Sequence, residues 1–187
     1  MANKVRFGLT NVHYAVLTEG TDESGNPTFS YAKPKRIQGA VSLSLDSQSE
    51  NSDFYADNVN YYSQYQNNGY NGSLEIAEVP EDMWTEVFGM TKDANGVFVE
   101  TVDDVQKDVA LLYQINGDAT NRGYLLYKVS LGKPDQGGKT IEGTRDPQTY
   151  TMDLTATARG DGKMRCNTGS ESTAKLATWF NSVYETA

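Results

Sequence analysis

Cysteine and histidine each occur once in this 187-residue chain, as Cys166 and His13. One thiol forms no disulfide within the chain, and one cysteine with one histidine cannot supply the four ligands of a structural zinc site. Cys166 therefore reads as an ordinary thiol, and His13, inside the stretch Val12 to Thr18, as a strand residue. Long apolar runs are missing too. Nothing approaches the roughly 20 apolar residues that span a bilayer, and the start, Met-Ala-Asn-Lys-Val-Arg-Phe, lacks the apolar core of a signal peptide. The expectation is a chain made in a cytoplasm, with no membrane insertion of its own. The last absence is local. Residues 37–91 contain nine acids and no lysine or arginine, so this stretch alone matches the whole formal net charge of −9. Phosphate backbones are held by clustered Lys and Arg that displace counterions, so such a surface repels nucleic acid.

What the sequence does contain is strand periodicity. In "TYTMDLTATA", residues 149–158, Tyr150, Met152, Leu154, Ala156 and Ala158 alternate with polar residues, as a strand with one buried face requires. Val41, Leu43 and Leu45 alternate likewise. So do Leu125, Tyr127, Val129 and Leu131, preceded by Val109, Leu111, Tyr113 and Ile115 and joined through the turn-rich "NGDATNRG". One helix is clearly signed in "VPEDMWTEVFG". Pro80 suits its start, Glu81 and Asp82 its positive end, and Gly89 its stop. Met83, Trp84, Val87 and Phe88 share one face and are expected to pack on a sheet. A weaker helical pattern runs from Ser172 to Tyr184, with Leu176, Phe180 and Val183 on one side; it could equally end as a short strand. Residues 19–36 read as a hairpin tip followed by a proline-interrupted edge. The expected class is mainly β with one packed α-helix, in a single domain over residues 1–187.

Between Asp46 and Tyr70 lies a segment without a core pattern, read as a long inter-strand loop. It holds five of the twelve tyrosines, Tyr55, Tyr61, Tyr62, Tyr65 and Tyr70, among Asn, Gln, Ser and Asp. Disorder favours Pro, Lys and Glu over aromatics, whereas tyrosine among small polar residues is a recognition composition. A protein interface is the leading reading, beside a flexible loop and a carbohydrate site. Single-strand nucleic acid binding would need interleaved bases, and there are none.

Catalytic and metal signatures fail on spacing. "GKPDQGGKT", residues 132–140, encloses five residues between Gly132 and Gly138, where a phosphate-binding loop needs four. The acid pairs Glu81/Asp82 and Asp103/Asp104 are adjacent and point apart. "ARGDGKMR" reads as a glycine turn. In "TKDANGVFVE", Gly96 as the sixth position of a calcium loop places Asp93 and Asn95 correctly but puts Thr91 first and Val102 twelfth, so the bidentate acid is missing. The stretch reads as a turn leading from the helix into a strand. No enzyme activity, cofactor or metal is expected.

The order of the blocks is itself informative. "FYADNVNYY", then "GYNGSLEIAEVPEDMWTEVFGMTKDANGVFVE", "KDVALLYQINGDATNRGYLLYKVSLGKP", "KTIEGTRDPQTYTMDLTATARGDGK" and a closing "WFNSVYE" together resemble the major tail protein family of long-tailed, non-contractile bacteriophages. The resemblance implies a β-sandwich or barrel of the tail-tube type, forming a hexameric ring with a strand-lined lumen. It implies a structural virion protein whose rings stack around a tape-measure protein into the tail tube, the conduit for DNA ejection, between tail-terminator and distal-tail proteins. DNA would pass through without specific binding. Localisation would be the virion tail, after assembly in the host cytoplasm. The additional C-terminal immunoglobulin-like domain of some members would be absent here. The five tyrosines would serve the subunit and ring interfaces, and Asp46, Glu50, Asp53, Asp57 and Glu75 are candidates for an acidic lumen. The alternative reading is a carbohydrate- or receptor-binding β-sandwich module using the Tyr-rich segment.

Overall fold

The structure, a computed structural model, describes residues 7–117, 122–138, 140, 147–169 and 173–186. It is mainly β and antiparallel. Among the described residues, eleven strands and two short helices follow one another as β1 (Leu9–Thr21), β2 (Pro27–Tyr31), β3 (Lys35–Arg36), β4 (Ala40–Ala56), β5 (Val59–Ile76), α1 (Glu81–Glu86), β6 (Thr91–Lys92), β7 (Phe98–Val99), β8 (Val109–Ile115), β9 (Gly123–Leu131), β10 (Tyr150–Ala156), β11 (Arg165–Asn167) and α2 (Thr173–Leu176). Nine strands form one sheet in the order β2-β1-β8-β9-β10-β5-β4, with β3 added to β1 and β11 to β9; β6 and β7 form a separate pair. The sheet does not close into a barrel. The turn expected at 116–123 and the segment 139–146 lie partly outside the described residues.

The principal core lies on one face of the sheet. Val12 and Tyr14 of β1, Leu74 and Ile76 of β5, Leu111 of β8, Leu126 of β9 and Met152 and Leu154 of β10 meet Met83, Val87 and Phe88 there, with Trp84 half-buried at the margin. The helix that carries them is shorter than its pattern. It ends at Glu86, with Pro80 at its N-cap rather than inside it, and the last two apolar residues reach the core from the turn beyond it. Lys35 in β3 fastens this turn to the sheet through Asp82 and Glu86, each 2.7 Å away.

The centre of the sheet is buried on its other face as well, so β9 does not bury the single alternating face expected of it: Leu125 and Tyr127 pack on this second face, while Val129 and Leu131 join the principal core beyond the register shift opposite Ala110. Ala15, Ala110, Leu112, Leu125 and Tyr127 are covered by Trp179, with Leu176, Phe180, Val183 and Tyr184 packed around it. Of the described part of the expected 172–184 helix, residues 173–184, only Thr173–Leu176 is helical. The rest of that segment is a strap whose apolar side chains follow the sheet rather than a helical period. Trp179 donates from Nε1 to the Tyr124 carbonyl (3.4 Å), and Phe180 stacks on His13 with ring centroids 4.5 Å apart.

Four further expectations are corrected. The segment 46–70 is not a loop; it belongs to β4 and β5, which pair down to a tight turn at Asp57 and Asn58. Val41 does not face the core: a register shift between Ala40 and Ser42 makes it a bulge and leaves it 51% exposed, while Leu43 and Leu45 still pack inward. The alternation through Ala158 stops early, because β10 ends at Ala156 and the next buried residue is Arg159. Asp93–Gly96 turns between β6 and β7 instead of leaving the helix. In that turn the Asp93 carboxylate accepts the backbone N–H groups of Asn95 and Val97 at 2.8 Å each. Those bonds hold its carboxyl below the ordinary range. A calcium titration is expected to leave the spectra and the thermal midpoint unchanged, since the side chain already closes the turn; a midpoint that rises with millimolar calcium would contradict this.

The pairing of β4 with β5 depends on one small residue. A Cβ on Gly72 would lie 1.9 Å from the Ser44 carbonyl oxygen and 2.7 Å from its carbon, a contact that only backbone separation relieves. We expect Gly72→Ala to cost about 3 kcal/mol or more, read as a lower denaturant midpoint; an unchanged midpoint would show the strands to be separable at no cost.

Candidate functional site

Where β4, β5 and β10 lie side by side, their outward positions form a small-residue, acidic surface. Cross-strand partners share a face, and Ser42/Glu75, Ser44/Ser73 and Asp46/Asn71 are partners pointing away from the core. Thr151 partners Glu75 and Asp153 partners Ser73 on the other side. Glu75 accepts hydroxyl donors from Thr149 (2.7 Å) and Ser42 (3.0 Å), which lower its carboxyl below the usual range. No lysine or arginine occupies an outward position of these three strands here. Asp153 was not among the sequence candidates, because it lies outside the base-free stretch. Its signal was the alternation itself: Met152 and Leu154 face inward, so Asp153 cannot.

Beyond Ser47 and Tyr70, β10 no longer accompanies β5, and β4 and β5 continue alone as a two-stranded arm. Ten residues from Ser47 to Ala56 at ~3.3 Å each give a length of ~33 Å. For comparison, a folded chain of 187 residues has a radius of gyration of about 16 Å. The arm starts at a bulge, where Asn68 and Gly69 oppose the single Gln48; Gly69 sits at φ 107° with the Ala156 carbonyl 2.2 Å from where a Cβ would be. It ends at Asp57 and Asn58, both at positive φ (51° and 61°), the conformation that two-residue hairpin turns require and that Asp and Asn tolerate.

The five candidate tyrosines all lie on this arm or at its root, but not on one surface. Tyr61 (75% exposed) is itself the extra residue of a second bulge, between Tyr62 and Asn60; Tyr65 (72%) lies opposite Asn51. On that same face Ser63 donates to Asn51 (2.9 Å), Asn51 donates to Asp53 (3.0 Å), and these neighbours hold the Asp53 carboxyl below its ordinary range. The opposite face carries Phe54 against Tyr62 and Ala56 against Val59, an exposed apolar tip. Tyr70 is half-buried at the root. Of the acidic candidates, Asp46, Glu50 and Glu75 follow the outward face, Asp53 the opposite face, and Asp57 occupies the tip.

A second polar cluster, missed in the sequence, lies under the strap. Arg159 has only 2% of its side chain exposed and donates to Asp161 (2.9 and 2.6 Å), to Glu185 (2.9 Å, with a second, shorter contact) and to the Tyr31 hydroxyl (3.0 Å). Its guanidinium lies over the rings of Phe29 (4.5 Å), Tyr127 (5.0 Å) and Tyr31 (5.7 Å). The hydrogen bonds that Arg159 donates hold the Asp161 carboxyl well below the usual range and lower that of Glu185. This is architecture: the cluster ties strap, β2 hairpin and β9 together. Among the described residues no group of three or more His, Cys, Asp or Glu is placed to hold a metal ion.

The fold and surface thus define an antiparallel β protein with an acidic sheet face and a projecting arm. No protein-family model matches the chain, and no curated protein matches it.

Proposed function

We propose that this chain is a structural subunit that polymerises with copies of itself, as stacked hexameric rings, into the tail tube of a long-tailed phage. The observation that supports this best is the arm. A lone two-stranded ribbon is marginally stable in water, and here it presents strand edges and exposed aromatic rings that no other described residue covers. Such edges are templates for another chain. On this reading the arm reaches a neighbouring subunit, and the acidic face of β4, β5 and β10 turns toward the lumen. A passing DNA is repelled there rather than held, since adhesion scales with counterions released to Lys and Arg. Tape-measure, tail-terminator and distal-tail proteins are the further partners this role requires.

Like charge then opposes assembly. Six copies would bring together six times the chain's −9, and screening weakens that repulsion over about 10 Å at 0.1 M salt. Purified protein is expected to form rings or tubes at high concentration in negative-stain images, and to form more of them as salt is raised. Tubes that dissociate with rising ionic strength would contradict repulsion as the limiting force. A strict monomer that binds glycans would contradict the subunit reading itself and favour a carbohydrate-binding module.

A further inference from the structure

The root of the arm lines a cleft of about 370 Å³, bounded by Asn67, Tyr70, Tyr127, Lys163, Arg165 and Cys166 among others. Its chemistry is opposite to that of the arm. Arg165 is exposed, lies over the Tyr70 ring at 5.5 Å, and has no carboxylate partner among the described residues. Lys163 stands beside it, pairing with Glu185 (3.2 Å) and Asp161 (3.5 Å). The arm carries Glu50, Asp53 and Asp57 with no base, and while Asp53 is held by its neighbours, Asp57 projects at the tip. The chain's own tip cannot reach the cleft, because the cleft is at the root and the tip is ~33 Å away along a paired ribbon.

Resting on the reading of the arm as an assembly element, we propose that this cleft receives the arm tip of a second copy, with Asp57 against Arg165 and a tip aromatic against Tyr70. The contact is heterologous: each copy offers a tip at one end and a cleft at the other. It therefore propagates from copy to copy and closes only as a ring, or else continues as a filament. Charge selects the partner. A basic cleft rimmed by aromatic rings attracts a carboxylate flanked by tyrosines and rejects a cationic tip.

Charge reversal tests this. Asp57→Lys and Arg165→Glu, each alone, are expected to raise the concentration needed for assembly by about tenfold or more, with far-UV spectra unchanged. Mixed in equal amounts they should assemble again, because each then meets a complementary partner. The chain's single thiol supplies a second measurement. Asp57→Cys, under a mild oxidant, should give a ladder of trimers and larger species on non-reducing gels, collapsing to dimers at most when Cys166→Ser is added. Reversal variants that assemble like the unaltered protein, a mixture no better than its parts, or dimers alone from Asp57→Cys would overturn the cleft as receptor. If the unaltered protein assembles in the same run, the subunit reading survives that result; if it stays monomeric at every concentration, both fall.

Discussion

Replacing residues 51–65 by Asn-Gly, between the cross-strand partners Glu50 and Gln66, is expected to leave a chain that folds normally and no longer self-associates. Asn-Gly favours the two-residue hairpin turn that this junction needs. Folding should survive because the removed residues contribute no member of either apolar cluster; the thermal midpoint should move by no more than about 3 °C, corresponding to about 1 kcal/mol in a chain of this size. Assembly should be lost because the aromatic tip and its acid go with the arm. A milder form substitutes serine for Tyr61, Tyr62 and Tyr65. Tyrosines buried at the centre of an interface cost ~2 kcal/mol or more each on truncation, so association should weaken by as much as roughly 10⁴-fold if all three are covered. Sedimentation velocity over a concentration series measures both. An arm-deleted chain that still forms rings would remove the arm from the interface.

The second large effect is on stability and concerns Arg159. In Arg159→Met the stem volume is retained but the guanidinium is lost from among three rings, and with it the bonds to Asp161, Glu185 and Tyr31. Breaking a fully buried ion pair costs 3–5 kcal/mol. Asp161 and Glu185 are partly exposed and regain some hydration, so about 2–4 kcal/mol is expected, or roughly 5–15 °C in the thermal midpoint. The strap should loosen first, and Trp179 emission should shift red before the sheet unfolds. The pH dependence has a definite sign. Both carboxyls titrate lower when folded than their ordinary values of 3.8 and 4.5. Their stabilisation is therefore complete above about pH 5 and is withdrawn as pH falls through the lowered folded-state values. The gap between unaltered protein and variant should narrow below pH 4. A gap that is constant from pH 7 to 3, or an unchanged midpoint at neutral pH, would contradict the account of this cluster.

How legible these features were depended on whether a buried face left an imprint on the local pattern. Tyr150 to Ala156 alternates because β10 has one wet face, and Met83, Val87 and Phe88 recur together because one side of a helical turn meets the sheet. The arm has no buried face, so β4 and β5 beyond Ser47 carry no apolar period to read, and their polar composition resembled a loop. The turn signal was present in Asp57 and Asn58, but without flanking periodicity it marked nothing. Val41 kept the alternating rhythm of its neighbours while the bulge beside it rotated it outward, and a bulge has no signature in a strand this polar. Arg159 was invisible for another reason: its partners Tyr31 and Glu185 are 128 and 26 residues away in sequence, so "ARGDGKMR" showed only its glycines. Of the candidate surface, composition revealed the tyrosines and the missing bases, and the alternation around Asp153 already pointed it outward, while register alone assigned Asp46, Glu50 and Glu75 to one face and Asp53 to the other.

A reconstruction from images of the concentrated protein tests the central claim most directly. The account predicts six copies around a lumen, with the face bearing Asp46, Glu75 and Asp153 turned inward and each arm laid on a neighbouring copy. A chain that stays monomeric at every concentration and ionic strength, or a ring with that acidic face on the outside, would contradict it.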